Sequence, residues 1–134
     1  MQELLLKRGT GKYTIFLTAV FMGRDISVHI YGGETPHIGA LAIAIPRKSL
    51  KGDGGDSASV SVICIPGHKE DGLVQSVAKK LSTLWGCHVT VVAGIHIDRA
   101  TESDLEQLNA NVEALIDELI ERISEKKSES QDVE

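Results

Sequence analysis

Aromatic side chains are few in this chain: one Trp, two Tyr and two Phe among 134 residues. Surfaces that read single-stranded nucleic acid stack bases on such rings and surround them with positive charge. The formal net charge is −5, so neither half of that signature is present. Cysteine is equally sparse. Cys64 and Cys87 have no metal-ligand or redox-motif spacing, which argues for small packed thiols rather than a disulfide framework or a Cys-based zinc site. No apolar run approaches the roughly 20 residues of a membrane helix. The opening MQELLLKRGTGK has three consecutive leucines and does not read as a signal peptide. A cytoplasmic location is the expectation.

The length suits one domain that can bury a core without staples. We expect it to span residues 1–126, with 127–134 as a disordered acidic tail. Charge divides the chain unevenly. Residues 98–134 hold twelve acids and four bases, residues 1–97 seven acids and ten bases. The acidic part reads as a solvated helix and tail, and the mildly basic body suits an anionic small ligand.

Periodicity predicts the order ββββαβα. KYTIFLTAVFM and ISVHIY alternate across the short GRD turn and read as a β-hairpin. ALAIAI places Leu41, Ile43 and Ile45 on one face and Ala40, Ala42 and Ala44 on the other. The alanine face suits close approach of a helix. After the Gly-rich PRKSLKGDGGDSA connection comes SVSVICI. GHKEDGLVQSVAKKLSTLWG has helical spacing and a natural stop at Gly86. HVTVVAGIHI is apolar almost throughout, as in a strand buried on both faces. TESD then opens a last helix, with Thr101 and Asp104 placed for a capping box. Its stripe of Leu105, Leu108, Val112, Leu115, Leu119 and Ile123 suits core packing. The expected class is therefore α+β: a five-stranded, largely antiparallel sheet with both helices on one face. The SVSVICI and HVTVVAGIHI strands are expected to be parallel neighbours, since a helix joins them. A homodimer is the simplest cover for the second face.

Three polar junctions carry the candidate site. TPHIG supplies His37, IPGHKED supplies Gly67, His68 and Lys69, and GIHIDRAT supplies His96, Asp98 and Arg99. The expected topology gathers them at one sheet edge. IPGHKED reads as a strand-to-helix junction where free N–H groups, a close-approach glycine and a lysine would hold a phosphate or carboxylate. The plain alternative is a turn in which Glu70 and Asp71 already answer the helix dipole. Zinc on the three histidines lacks a supporting H-x-x-x-H or cysteine partner, so no metal is expected. Cys64 with His68 makes a weak nucleophile pair, because a thiol on an apolar strand is usually inert. His29 and His88 read as ordinary strand positions.

PHIGA, IPGHKED and VAGIHIDRAT, in this element order, resemble the LpdD-like prenylated-flavin chaperone family associated with UbiD-type decarboxylases. The resemblance spans roughly residues 12–125. It implies a non-catalytic protein that binds prenylated FMN or FMN and assists its maturation or delivery, with a UbiD-type decarboxylase and a flavin prenyltransferase as partners. It further implies that Gly67, His68 and Lys69 lie on the phosphate or ribityl side. His37 and His96 would then face the ring system, with Asp98 and Arg99 at the rim. The same fold pattern also resembles proteasome-assembly chaperones, which act by protein contact alone. A small His-dependent enzyme is a third reading.

Overall fold

The computed structural model describes residues 2–132. It contains β1 (Glu3–Arg8), β2 (Ile15–Met22), β3 (Asp25–Gly33), β4 (Ala40–Lys48), β5 (Asp56–Cys64), α1 (Asp71–Trp85), β6 (Val89–His96) and α2 (Glu102–Asp132). A short 3-10 turn, Gly11–Tyr13, links β1 to β2. The six strands form one sheet in the order β1-β2-β3-β6-β4-β5.

The α+β class, the two covering helices and the largely antiparallel pairing agree with the sequence. Two features differ. The sheet has a sixth strand, β1, formed by ELLLKR, which pairs with β2 at the edge. The strands flanking α1, β5 and β6, are not neighbours: β4 lies between them, and β6 runs parallel to β3. The reason is the apolar character of β6. A strand of Val, Ala and Ile is best covered on both edges and both faces. At the centre of the sheet it pairs with β3 on one side and antiparallel to β4 on the other.

Register shows which face is covered. Leu6, Leu17, Ile30, Ala93, Ala40 and Cys64 are aligned across the six strands. All of them except the half-buried Cys64 are buried. This is the helix-covered face. α1 packs on β4, β5 and β6, and α2 on β1 and β2. The alanine face of β4 meets α1, as expected: Ala40, Ala42 and Ala44 are buried, and small side chains let the helix sit close. Val74, Val77, Ala78 and Leu81 fill the α1 side. On α2, Leu108, Val112, Leu115, Leu119 and Ile123 are buried, whereas Leu105 is exposed. α2 continues through residues 127–132, the first part of the segment read as a tail. Residues 133–134 lie outside the described residues.

The helix ends follow the sequence signals. Gly86 closes α1 in the left-handed conformation (φ 65°), a backbone region that glycine enters without steric cost. At the start of α2, the Asp104 N–H donates to Thr101 Oγ1 and the Thr101 N–H donates to Asp104 Oδ2, both at 3.0 Å. This is the reciprocal cap anticipated from TESD. Asp104 also accepts from the Tyr13 hydroxyl at 2.6 Å and pairs with Lys12 at 3.4 Å. The cap thus ties α2 to the β1–β2 connection. Asn111 reinforces it by donating to the Tyr13 carbonyl at 2.9 Å.

The Thr101 backbone N–H and the Tyr13 hydroxyl hold the Asp104 pKa down to about 2. Its folded value is below the unfolded one. The associated stability is therefore complete above about pH 4 and is lost as the pH falls toward 2. Asp104→Asn should flatten acid unfolding in that window and lower stability at neutral pH, measured by urea unfolding at several pH values. An unchanged acid profile would contradict this role.

Candidate functional site

One edge of the sheet collects the three polar junctions. β4 begins there at Ala40, opposite Cys64 at the end of β5 and opposite Ala93 of β6; β3 ends there at Gly33, opposite His96. The convergence expected from the sequence is present, although the strand order behind it differs. β5 and β6 still point the same way because both are antiparallel to β4.

Close backbone approach brings the β3–β4 loop onto β6. An added Cβ at Gly94 would run into the His37 carbonyl, so only glycine admits the loop there. The Gly39 N–H donates to Ala93 O at 2.9 Å, and the Ile65 N–H donates to Gly39 O at 2.8 Å. His37 is thereby seated between the ends of β5 and β6.

IPGHKED forms a tight turn ahead of the helix. The His68 N–H donates to Ile65 O at 3.1 Å, and Gly67 has φ 88°. With Pro66 ahead of it, this matches a type II turn. Helical structure begins only at Asp71, with Glu70 at the cap position, so Gly67 and His68 precede the helix rather than form its first turn. Asp71 answers the helix dipole, as the plain reading of this stretch supposed. Glu70 does not: its side chain makes no cap bond to the helix and turns toward the sheet. There Oε1 accepts from the Ile95 N–H at 3.2 Å and Oε2 from the Lys69 N–H at 3.1 Å. Gly39 leaves the space that the carboxylate fills.

The result is a compact corner. His37 Nε2 lies 3.1 Å from His68 Nδ1 and 3.3 Å from Glu70 Oε1. The His37 and Glu70 side chains are mostly buried, 20% and 12% exposed, while His68 is exposed. The His96 ring stands edge-on to His37, with centroids 6.4 Å apart. His96 Nε2 donates to Asp98 Oδ1 at 2.8 Å, and the Asp98 N–H donates to Glu34 Oε1 at 3.0 Å. Arg99 adopts a left-handed backbone (φ 51°), uncommon for a side-chain-bearing residue. Lys69 and Arg99 are exposed, and their side chains have no hydrogen bond or ion pair among the described residues. The Cys64 thiol donates to the His68 carbonyl at 3.3 Å; it faces backbone, not an imidazole.

On the face opposite the helices, a pocket of about 410 Å³ adjoins this corner. His29, Tyr31, Pro36, His37, Ile38 and Val92 line it, and its volume is in the range of small-molecule sites. Tyr31 is stacked on Phe16 at 5.5 Å. The structure thus groups His37, His68 and His96. It adds Glu70 and the pocket residues Tyr31, Ile38 and Val92, which the sequence did not single out as site residues. Glu70 was within the quoted motif, but its spacing gave no sign that it faced the sheet.

The family model described as the prenylated flavin chaperone LpdD-like domain matches residues 9–124. The chain belongs to this family. The match to the LpdD-like domain takes in all three junctions, α1 and the larger part of α2. Among solved structures, a chain of a novel chaperone complex for yeast 20S proteasome assembly shares the fold. Its TM-score is 0.54 at 15% sequence identity, covering 92% of this chain and 97% of that one. No curated protein matches the sequence.

The Gly94 contact gives the corner a direct test. Gly94→Ala should displace the His37 loop and cost about 1–3 kcal/mol, as overpacking does. Urea unfolding would read the loss, and histidine NMR signals would show His37 and His68 shifting together. Wild-type stability with unmoved signals would contradict the packing argument.

Proposed function

We propose that this LpdD-like protein is a non-catalytic chaperone that binds prenylated FMN, or FMN itself, and assists maturation or delivery of the cofactor to a UbiD-type decarboxylase. The family match over residues 9–124 carries the reading. The pocket beside the corner supports it. Tyr31, Pro36, Ile38 and Val92 offer an apolar lining for a planar ring system, while His29 and His37 provide polar groups at its edge. Few aromatics are needed for such a lining.

The phosphate belongs on the outer side of the corner. Glu70 would repel it from the inner side, whereas the exposed Lys69 and the open backbone at Gly67 are free to receive it. His68 borders both sides, His96 stands behind His37, and Asp98 with Arg99 forms the rim. Binding rather than turnover is the role assigned to these residues. When bound, the flavin would be cargo.

Ultraviolet–visible titration of the purified protein with FMN and with prenylated FMN tests the reading. Saturable binding is expected, weakened about tenfold or more by Lys69→Ala through loss of a charge-assisted contact. Absence of binding by both flavins would overturn it.

The uncovered β4–β5 face favours a second reading, an assembly chaperone acting by contact. Leu41, Ile43, Ile45 and Ile63 are 37–63% exposed there, and exposed apolar patches of this kind mark interfaces. A partner captured equally well by wild type and by a His68→Ala, Lys69→Ala variant would favour that reading. We assign the face first to a second copy of the chain, in a cytoplasmic homodimer. Light scattering should then report a dimer for wild type and single chains for Ile43→Glu; a wild-type monomer would contradict the assignment.

A further inference from the structure

We propose that His37, His68 and Glu70 form a site for one divalent transition-metal ion of the zinc type, with an open coordination position. The inference is independent of flavin binding. Its first ground is distance. The three ligand atoms lie within 4.8 Å of one another. Zinc bonds of about 2.0–2.2 Å in a tetrahedron place ligand atoms about 3.3 Å apart. His37 Nε2 is 3.1 Å from His68 Nδ1 and 3.3 Å from Glu70 Oε1, so two edges of the tetrahedron are already set.

The second ground is the protonation pattern. His37 Nδ1 lies 3.0 Å from the Thr35 carbonyl. A carbonyl only accepts, so Nδ1 carries the hydrogen, and in the neutral ring Nε2 presents a lone pair. That lone pair faces the Glu70 carboxylate at 3.3 Å. The same lone pair lies 3.1 Å from His68 Nδ1; an ion bound at this point would take the lone pairs of both rings and an oxygen of the carboxylate together. The hydrogen bond from one ring nitrogen to a carbonyl, leaving the other free, is the usual support of a metal-bound histidine.

The third ground is that the carboxylate is oriented beforehand. The Ile95 and Lys69 N–H groups hold its two oxygens, and Gly39 makes room for it. His68 lies on an exposed turn, which leaves the outer side open to a fourth ligand such as water or a phosphate oxygen. The ligands come from positions 37, 68 and 70, too widely spaced for a metal motif to be visible in the sequence.

The test uses the full chain and metal alone. Zn²⁺ should bind with one ion per chain by isothermal titration calorimetry in a non-coordinating buffer. Co²⁺ should give the intense visible bands of four-coordinate cobalt. His68→Ala and Glu70→Gln should each weaken Zn²⁺ binding at least tenfold and abolish the cobalt bands. His68→Ala removes an exposed side chain, and circular dichroism would verify that its fold is retained. Failure to bind Zn²⁺ would overturn the proposal, leaving the hydrogen bond between the two imidazoles as the account of their short distance. Binding of equal strength in both variants would also overturn it, placing the ion elsewhere.

Discussion

The structure depends on the seating of β6 between β3 and β4. Its Val, Ala and Ile side chains require neighbours on both edges, and the parallel β3–β6 pairing satisfies one of them. That pairing fixes the direction of β6, so His96 leaves the sheet where β3 ends and β4 begins. A β6 placed outside β5, as a simple crossover would have it, would separate His96 from His37. The central position also sorts the sheet's faces. Both helices cover the row through Ile30, Ala93 and Ala40, leaving the row through His29, Val92 and Leu41 uncovered.

Glycine and a carboxylate then turn this shared edge into a compact polar corner. Gly94 admits the His37 loop, Gly39 admits Glu70, and Gly67 allows the turn that carries His68. The electrostatics of the corner are not those of a simple anion hole at a helix end. A mostly buried carboxylate and imidazole nitrogens face inward, while Lys69 remains outside. Inner and outer sides therefore favour charges of opposite sign: a cation between the histidines and Glu70, an anion beyond them. The chain of the yeast 20S proteasome-assembly chaperone complex shares the fold at 15% identity, a likeness of architecture alone.

Much of this was legible in the sequence because it is encoded locally. The hairpin at GRD, the alanine face of β4, the Gly86 stop and the Thr101–Asp104 cap each follow from residues close together in the chain. The three junctions were visible because glycine and histidine interrupt apolar strands. What escaped is non-local. Strand order depends on which edges compete for β6, and no single segment reports that. Glu70 looked like a dipole partner because its inward turn depends on Gly39, distant in sequence. β1 was missed because ELLLKR is short and does not alternate; it becomes a strand only beside β2.

Histidine-resolved NMR during flavin titration tests the central claim that this sheet edge is the binding site. Four of the five histidines lie in the corner or its adjoining pocket, and His88, beside Asp25 at 3.4 Å on the β2–β3 turn side, serves as the internal control. The account predicts that FMN moves the ring signals of His29, His37, His68 and His96 saturably and leaves His88 unchanged. Shifts centred on His88, or a bound flavin that leaves His37 and His68 unmoved, would contradict it.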